Sequence, residues 1–111
     1  MRRAAKIDAN HVAIRDALRA IPGVTVKDAA HVGGGFPDLV IGVHGKTVLI
    51  EVKDGAKVPS ARKLTPAQVR FRAAWSGSPI WVVESVGQAV DLVIREMEAT
   101  NDDTCIDDAA R

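Results

Sequence analysis

The sequence predicts one α/β (α+β) domain with the element order α-β-β-β-α-β-α, and three observations carry this. Ile7, His11, Ile14, Leu18 and Ile21 recur at spacings of four, three, four and three, the apolar stripe of an amphipathic helix. Two runs rich in Val, Ile and Leu, Asp38–His44 and Thr47–Lys53, flank Gly45-Lys46 and read as a hairpin with a two-residue turn. Thr65-Pro-Ala-Gln68 and Ser85-Val-Gly-Gln88 are capping boxes, each opening a helix.

The remaining punctuation fits this order. Pro22-Gly23 ends the first helix. Val24–Lys27 is a short strand suited to a sheet edge. Gly33-Gly34-Gly35 is a loop whose missing side chains allow close backbone approach. Asp54–Lys63 is a basic loop. Pro66 sits at the first position of the second helix. Leu64, Val69, Phe71, Ala74 and Trp75 are expected to supply its apolar contacts, and Gly77 stops it. Phe71, Trp75 and Trp81 are expected in the core. Pro79–Glu84 is the fourth strand. Val86, Val90, Val93 and Met97 share one stripe of the last helix. Residues 1–99 are expected to form the domain, and the acidic segment 100–111 to fray.

A chain of 111 residues supports one small core. Cys105 has no second cysteine to pair with, which fits a reducing, intracellular setting. The basic N-terminus lacks the apolar stretch of a signal peptide. No apolar run approaches the roughly 18 residues of a membrane span. No membrane partner is expected, and the cytoplasm of a bacterial or phage-infected cell is the expected compartment. The net charge of +1 conceals a segregation. Residues 1–72 carry thirteen Lys/Arg against six Asp/Glu, whereas residues 73–111 carry two against eight. Such a basic half suits a polyanionic partner; a solvated charged face is the alternative.

The hairpin gathers the charges that matter. With Gly45-Lys46 as the turn, Asp38 faces Lys53 and Glu51 faces Val40. Opposed residues point to one side of the sheet, so Asp38, Glu51 and Lys53 converge at one end of one face. Two carboxylates sharing a site repel unless protonated or bridged by a cation. Oxygen ligands favour a hard divalent ion, Mg²⁺ or Mn²⁺. The alternative is an Asp38–Lys53 cross-strand ion pair with Glu51 solvated at the sheet edge.

Pro37-Asp38, followed on the next strand by Glu51-Val52-Lys53, resembles the PD-(D/E)xK nuclease superfamily. GGGFPDLVIG, LIEVKDG and KLTPAQVRF look like its VRR-NUC branch and the small phage-type nucleases near it, a resemblance covering about residues 6–95. It implies a restriction-endonuclease-like α-β-β-β-α-β core with a mixed sheet flanked by helices. It also implies metal binding by Asp38, Glu51 and the Val52 carbonyl, and a catalytic Lys53 that positions the attacking water. Gln68 matches the family's glutamine on the helix after the core strands. It is equally the third residue of a capping box, and one side chain is not expected to do both. The family usually has an acid on its first helix, often Glu; the nearest here is Asp8, read as a further metal ligand or as a solvated first-turn acid stabilised by the helix dipole, with Asn10 and His11 nearer the buried side. His11 reads more simply as a satisfied core histidine.

The resemblance therefore implies a metal-dependent DNA endonuclease, structure-selective for branched or junction DNA, with no organic cofactor. Lys57, Arg62, Lys63 and Arg70 would grip phosphates without reading sequence. Two cuts in a two-fold junction need two sites, so a homodimer is expected, with the stripe of the last helix as its face. A non-catalytic nucleic-acid-binding module on the same fold is the main alternative. A structural protein with a coincidental pattern is the third.

Overall fold

The hairpin forms the centre of the sheet. β2 (Leu39–Val43) and β3 (Lys46–Val52) run antiparallel. β1 (Val24–Asp28) pairs antiparallel with β2, and β4 (Ile80–Val83) pairs parallel with β3. The sheet is mixed, in the order β1-β2-β3-β4, and three helices flank it: α1 (His11–Arg19), α2 (Pro66–Ala74) and α3 (Val86–Ala110). A 3₁₀ turn over Pro59–Arg62 interrupts the basic loop. This computed structural model describes the backbone of residues 8–110 and the side chains of residues 8–99. Ile7 of the helical stripe lies outside the described residues. The segment expected to fray falls in the last turns of α3, and its side chains also lie outside them.

Alternation along the strands fixes what each face holds. Val26, Leu39, Ile41, Val43, Val48, Ile50, Val52 and Val83 occupy one side and are buried. Ile14 and Leu18 of α1 and Ala89, Leu92 and Val93 of α3 close over them. Truncating a fully buried residue such as Leu18 to Ala costs about 2–5 kcal/mol. α1 is tied down further by His11, buried with its Nε2 3.1 Å from Asp28 Oδ2. Burial pushes the Asp28 carboxyl up, but the Ala30 N–H, His11 and Arg15 outweigh it and hold it down at about 2.

The hairpin turn is one residue earlier than expected. It is His44-Gly45, with Val43 paired to Lys46, and both central residues have positive φ (51° and 77°). That is the backbone of a type I′ turn, whose twist matches the flanking strands, and Gly suits its second position. The register shifts by two residues. Because side chains alternate with period two, each residue keeps its face. Only the partners change, bringing Asp38 next to Glu51 and Val52 instead of Lys53.

α2 departs from expectation in how it is held. It buries no residue fully; Val69 is 53% and Trp75 40% exposed. Trp81 on β4 is likewise 40% exposed. Instead of a core, the aromatics form a surface stack. Phe36 meets Phe71 edge-on at 5.5 Å, and Phe71 stacks on Trp75 at 5.4 Å. Gly35 approaches the first turn of α2 so closely that a Cβ there would lie 2.2 Å from the Ala67 carbonyl oxygen. Its positive φ of 83° adds a second reason for glycine. The Ser85 hydroxyl accepts the Gln88 N–H as expected, but Gln88 Oε1 reaches one residue further back, to the Glu84 N–H.

Candidate metal and nuclease site

β3 delivers Glu51 and Lys53 to the face opposite the core, at the end of the hairpin where Asp38 enters β2. Asp38 Oδ2 accepts the Val52 N–H at 2.8 Å, which locks the carboxylate onto the neighbouring strand. Val52 thus meets Asp38 through its own N–H. Both charged residues of β3's end are buried: Glu51 is 3% and Lys53 7% exposed. This removes the alternative of a solvated Glu51. Lys53 turns away from a simple pairing with Asp38. Its Nζ donates to Gln68 Oε1 at 2.9 Å and lies 4.0 Å from Glu51 Oε2.

Gln68 performs both roles that were expected to exclude each other. Its Oε1 accepts the Thr65 N–H at 2.9 Å while its N–H donates to the Thr65 hydroxyl, completing the capping box. The same Oε1 accepts from Lys53, and its Nε2 donates to Glu51 Oε2. A carbonyl oxygen has two lone pairs, so the two acceptances are compatible. The capping box aims the side chain at the site.

Asp8, Asp38, Glu51, Lys53, Lys57, Ala61, Thr65 and Gln68 line one cleft of about 350 Å³. Burial and the neighbouring Asp38 push the Glu51 carboxyl up to about 9, against the opposing pull of Lys53. At neutral pH Glu51 therefore carries a proton, the state that two crowded carboxylates reach without a cation. That donor set, two adjoining carboxyls whose proton a cation would displace, fits a hard divalent cation. Among the described residues, no three His, Cys, Asp or Glu side chains cluster closely enough to form a ready-made cage.

The three N-terminal candidates separate clearly. Asp8 lines the cleft, with its Oδ1 3.4 Å from Lys57 Nζ. His11 is the core histidine paired with Asp28. Asn10 Nδ2 donates to the carbonyls of Lys53 and Glu84, both at 3.0 Å.

The basic residues also divide. Lys57 stands at the cleft and Lys63 and Arg70 are exposed. Arg62 Nη1 donates to Glu84 Oε1 at 3.1 Å and staples the 3₁₀ turn to the end of β4. Sequence reasoning missed Thr65 as a cleft residue and Glu84 as an anchor. The capping box was a usable signal for Thr65, whereas nothing local marks Glu84.

No family model, curated protein or solved structure matches the chain. Among the described residues, no helix is long and apolar enough to cross a membrane.

Proposed function

We propose that the chain is a Mg²⁺- or Mn²⁺-dependent nuclease that hydrolyses phosphodiester bonds of DNA on a restriction-endonuclease-like α-β-β-β-α-β framework. One observation carries the reading: the buried Glu51 carboxyl, pushed up to about 9 beside Asp38, in a cleft shared with Lys53 and Gln68. Asp38, Glu51 and the Val52 carbonyl would hold the cation. When bound, it lowers the pKa of the attacking water and offsets charge building on the phosphate. The chain's own groups do the rest. Lys53, braced by Gln68, orients water and holds a phosphate oxygen. Gln68 fixes Glu51 and Lys53 relative to each other. Lys57, Lys63 and Arg70 grip the backbone, and Arg62 steadies the loop that presents Lys57.

Branched or junction DNA is the proposed substrate, with two active sites supplied by a homodimer. The test incubates the protein with labelled linear, flapped and four-way-junction DNA in Mg²⁺, Mn²⁺ or EDTA. Cleavage of branched DNA with either cation, lost in EDTA and in Asp38→Asn, is the expected result. Binding without cleavage under every condition would instead favour a non-catalytic nucleic-acid-binding module. The lack of a three-residue ligand cluster among the described residues is the observation on that side.

A further inference from the structure

We propose that Asn10 is the positioning residue of the cleft, setting Asp8 and Lys53 against the Asp38–Glu51 pair; this rests on the metal-site reading. Asn10 is the N-cap of α1, a position where an asparagine side chain usually accepts an N–H of the first helical turn. Here it makes no such bond. Its amide instead reaches residues 43 and 74 positions away, donating to the Lys53 and Glu84 carbonyls.

Those carbonyls lie where the paired strands have just ended. The last ladder pair is Val52↔Val83. Beyond it, the Lys53 N–H donates to the Val83 carbonyl and the Gly55 N–H to the Glu84 carbonyl. Gly55 packs so tightly there that a Cβ would lie 2.9 Å from the Glu84 oxygen. The Asn10 amide therefore clamps together the ends of β3 and β4 just after β3 has placed Glu51 and Lys53. Asp8 lies two residues upstream, and its carbonyl accepts the His11 N–H at 3.0 Å. The same Glu84 accepts the Arg62 staple, so the clamp also backs the loop carrying Lys57.

Chemistry fixes the orientation of the amide. Two carbonyl oxygens demand donors, so Nδ2 must face them. Asn10 Oδ1 is left buried without a partner among the described residues.

The test compares Asn10→Ser with wild type. Serine is a good N-cap, so α1 keeps its start, but its hydroxyl is too short to span both carbonyls. The expected result is a melting temperature near wild type with Mn²⁺ affinity, measured by calorimetry without DNA, roughly tenfold weaker. Amide NMR shifts of Glu51, Val52 and Lys53 should move in the same variant without metal. Unchanged Mn²⁺ affinity with unchanged shifts overturns the proposal. If wild type binds no Mn²⁺, the metal reading fails on its own, and the metal-free shifts still decide the role of Asn10.

Discussion

Gln68 Nε2 donates to Glu51 Oε2, so the first turn of α2 is hydrogen-bonded to a carboxyl at the end of β3. α2 buries no residue fully, which makes this polar link one of its main attachments. Gln68→Ala removes the link, the bond to Lys53 and half of the capping box together. It should cost about 1–2 kcal/mol in urea unfolding. A loss near zero would mean that the aromatic stack alone holds α2.

Asp38 and Glu51 differ in what their amide variants preserve. In Asp38→Asn the side-chain oxygen can still accept the Val52 N–H, so the fold should survive. Cleavage should vanish and Mn²⁺ affinity should fall. Glu51→Gln should lose Mn²⁺ affinity as well, yet melt at a higher temperature without metal near pH 7, since it removes the cost of binding a proton on folding. Calorimetry giving wild-type Mn²⁺ affinity in both variants would sink the shared-cation site.

The raised Glu51 carboxyl sets the direction of the pH dependence. An unperturbed glutamate titrates near 4.5, whereas Glu51 in the fold titrates at about 9. Between those values the folded protein binds the extra proton, so metal-free stability falls as pH rises. Melting temperatures from pH 5 to 9 should decline in wild type and flatten in Glu51→Gln. Metal binding at pH 7 should release about one proton, detectable by calorimetry in buffers of different ionisation enthalpy. Asp28 acts in the opposite sense and elsewhere. Its carboxyl is held at about 2, so its stabilisation is present above 3.8 and is lost only in strong acid.

Which residues meet is more legible in the sequence than how they meet. The convergence of Asp38, Glu51 and Lys53 withstands a turn misplaced by one residue, because a register error of two leaves every side chain on its face. The partners change with the register: Asp38 bonds the Val52 N–H instead of facing Lys53. For Gln68 the sequence presents cap and site as rivals, while in the fold a lysine and a backbone N–H share one oxygen. Trp75 and Trp81 look like core residues by their apolarity, but α1 and α3 already fill the core. The Asn10 clamp depends on partners 43 and 74 residues away, which no local pattern encodes.

Backbone grip should rest on Lys57, Lys63 and Arg70. Replacing all three with Ala should weaken DNA binding alike for every sequence. The slope of log affinity against log salt should flatten by about 0.9 for each phosphate no longer neutralised. Arg62→Ala should behave differently. It frees Glu84 and loosens the 3₁₀ turn, lowering the melting temperature as well as affinity. An unchanged salt slope in the triple variant would mean that DNA docks elsewhere.

Dimerisation, if it serves two-strand cleavage, needs a face other than the one the sequence suggests. Val93 is fully buried in the core and Val90 and Met97 pack against it, so of that stripe of α3 only Val86, 37% exposed, is left to face a partner. The outer edge of β4, which no strand pairs among the described residues, is the better surface. β4 is an outer strand of four apolar residues, with Trp81 40% and Val82 41% exposed. Antiparallel pairing of two β4 edges about a two-fold axis would set Val82 of one copy against Val82 of the other, with Trp81 opposite Val83, and cover an edge that no strand pairs among the described residues. Light scattering at tens of micromolar should give a dimer mass for wild type and a monomer mass for Trp81→Glu. A monomer mass for wild type both with and without DNA rules the dimer out. The proposed activity then contracts to nicking one strand, which a single Asp38–Glu51 site can perform.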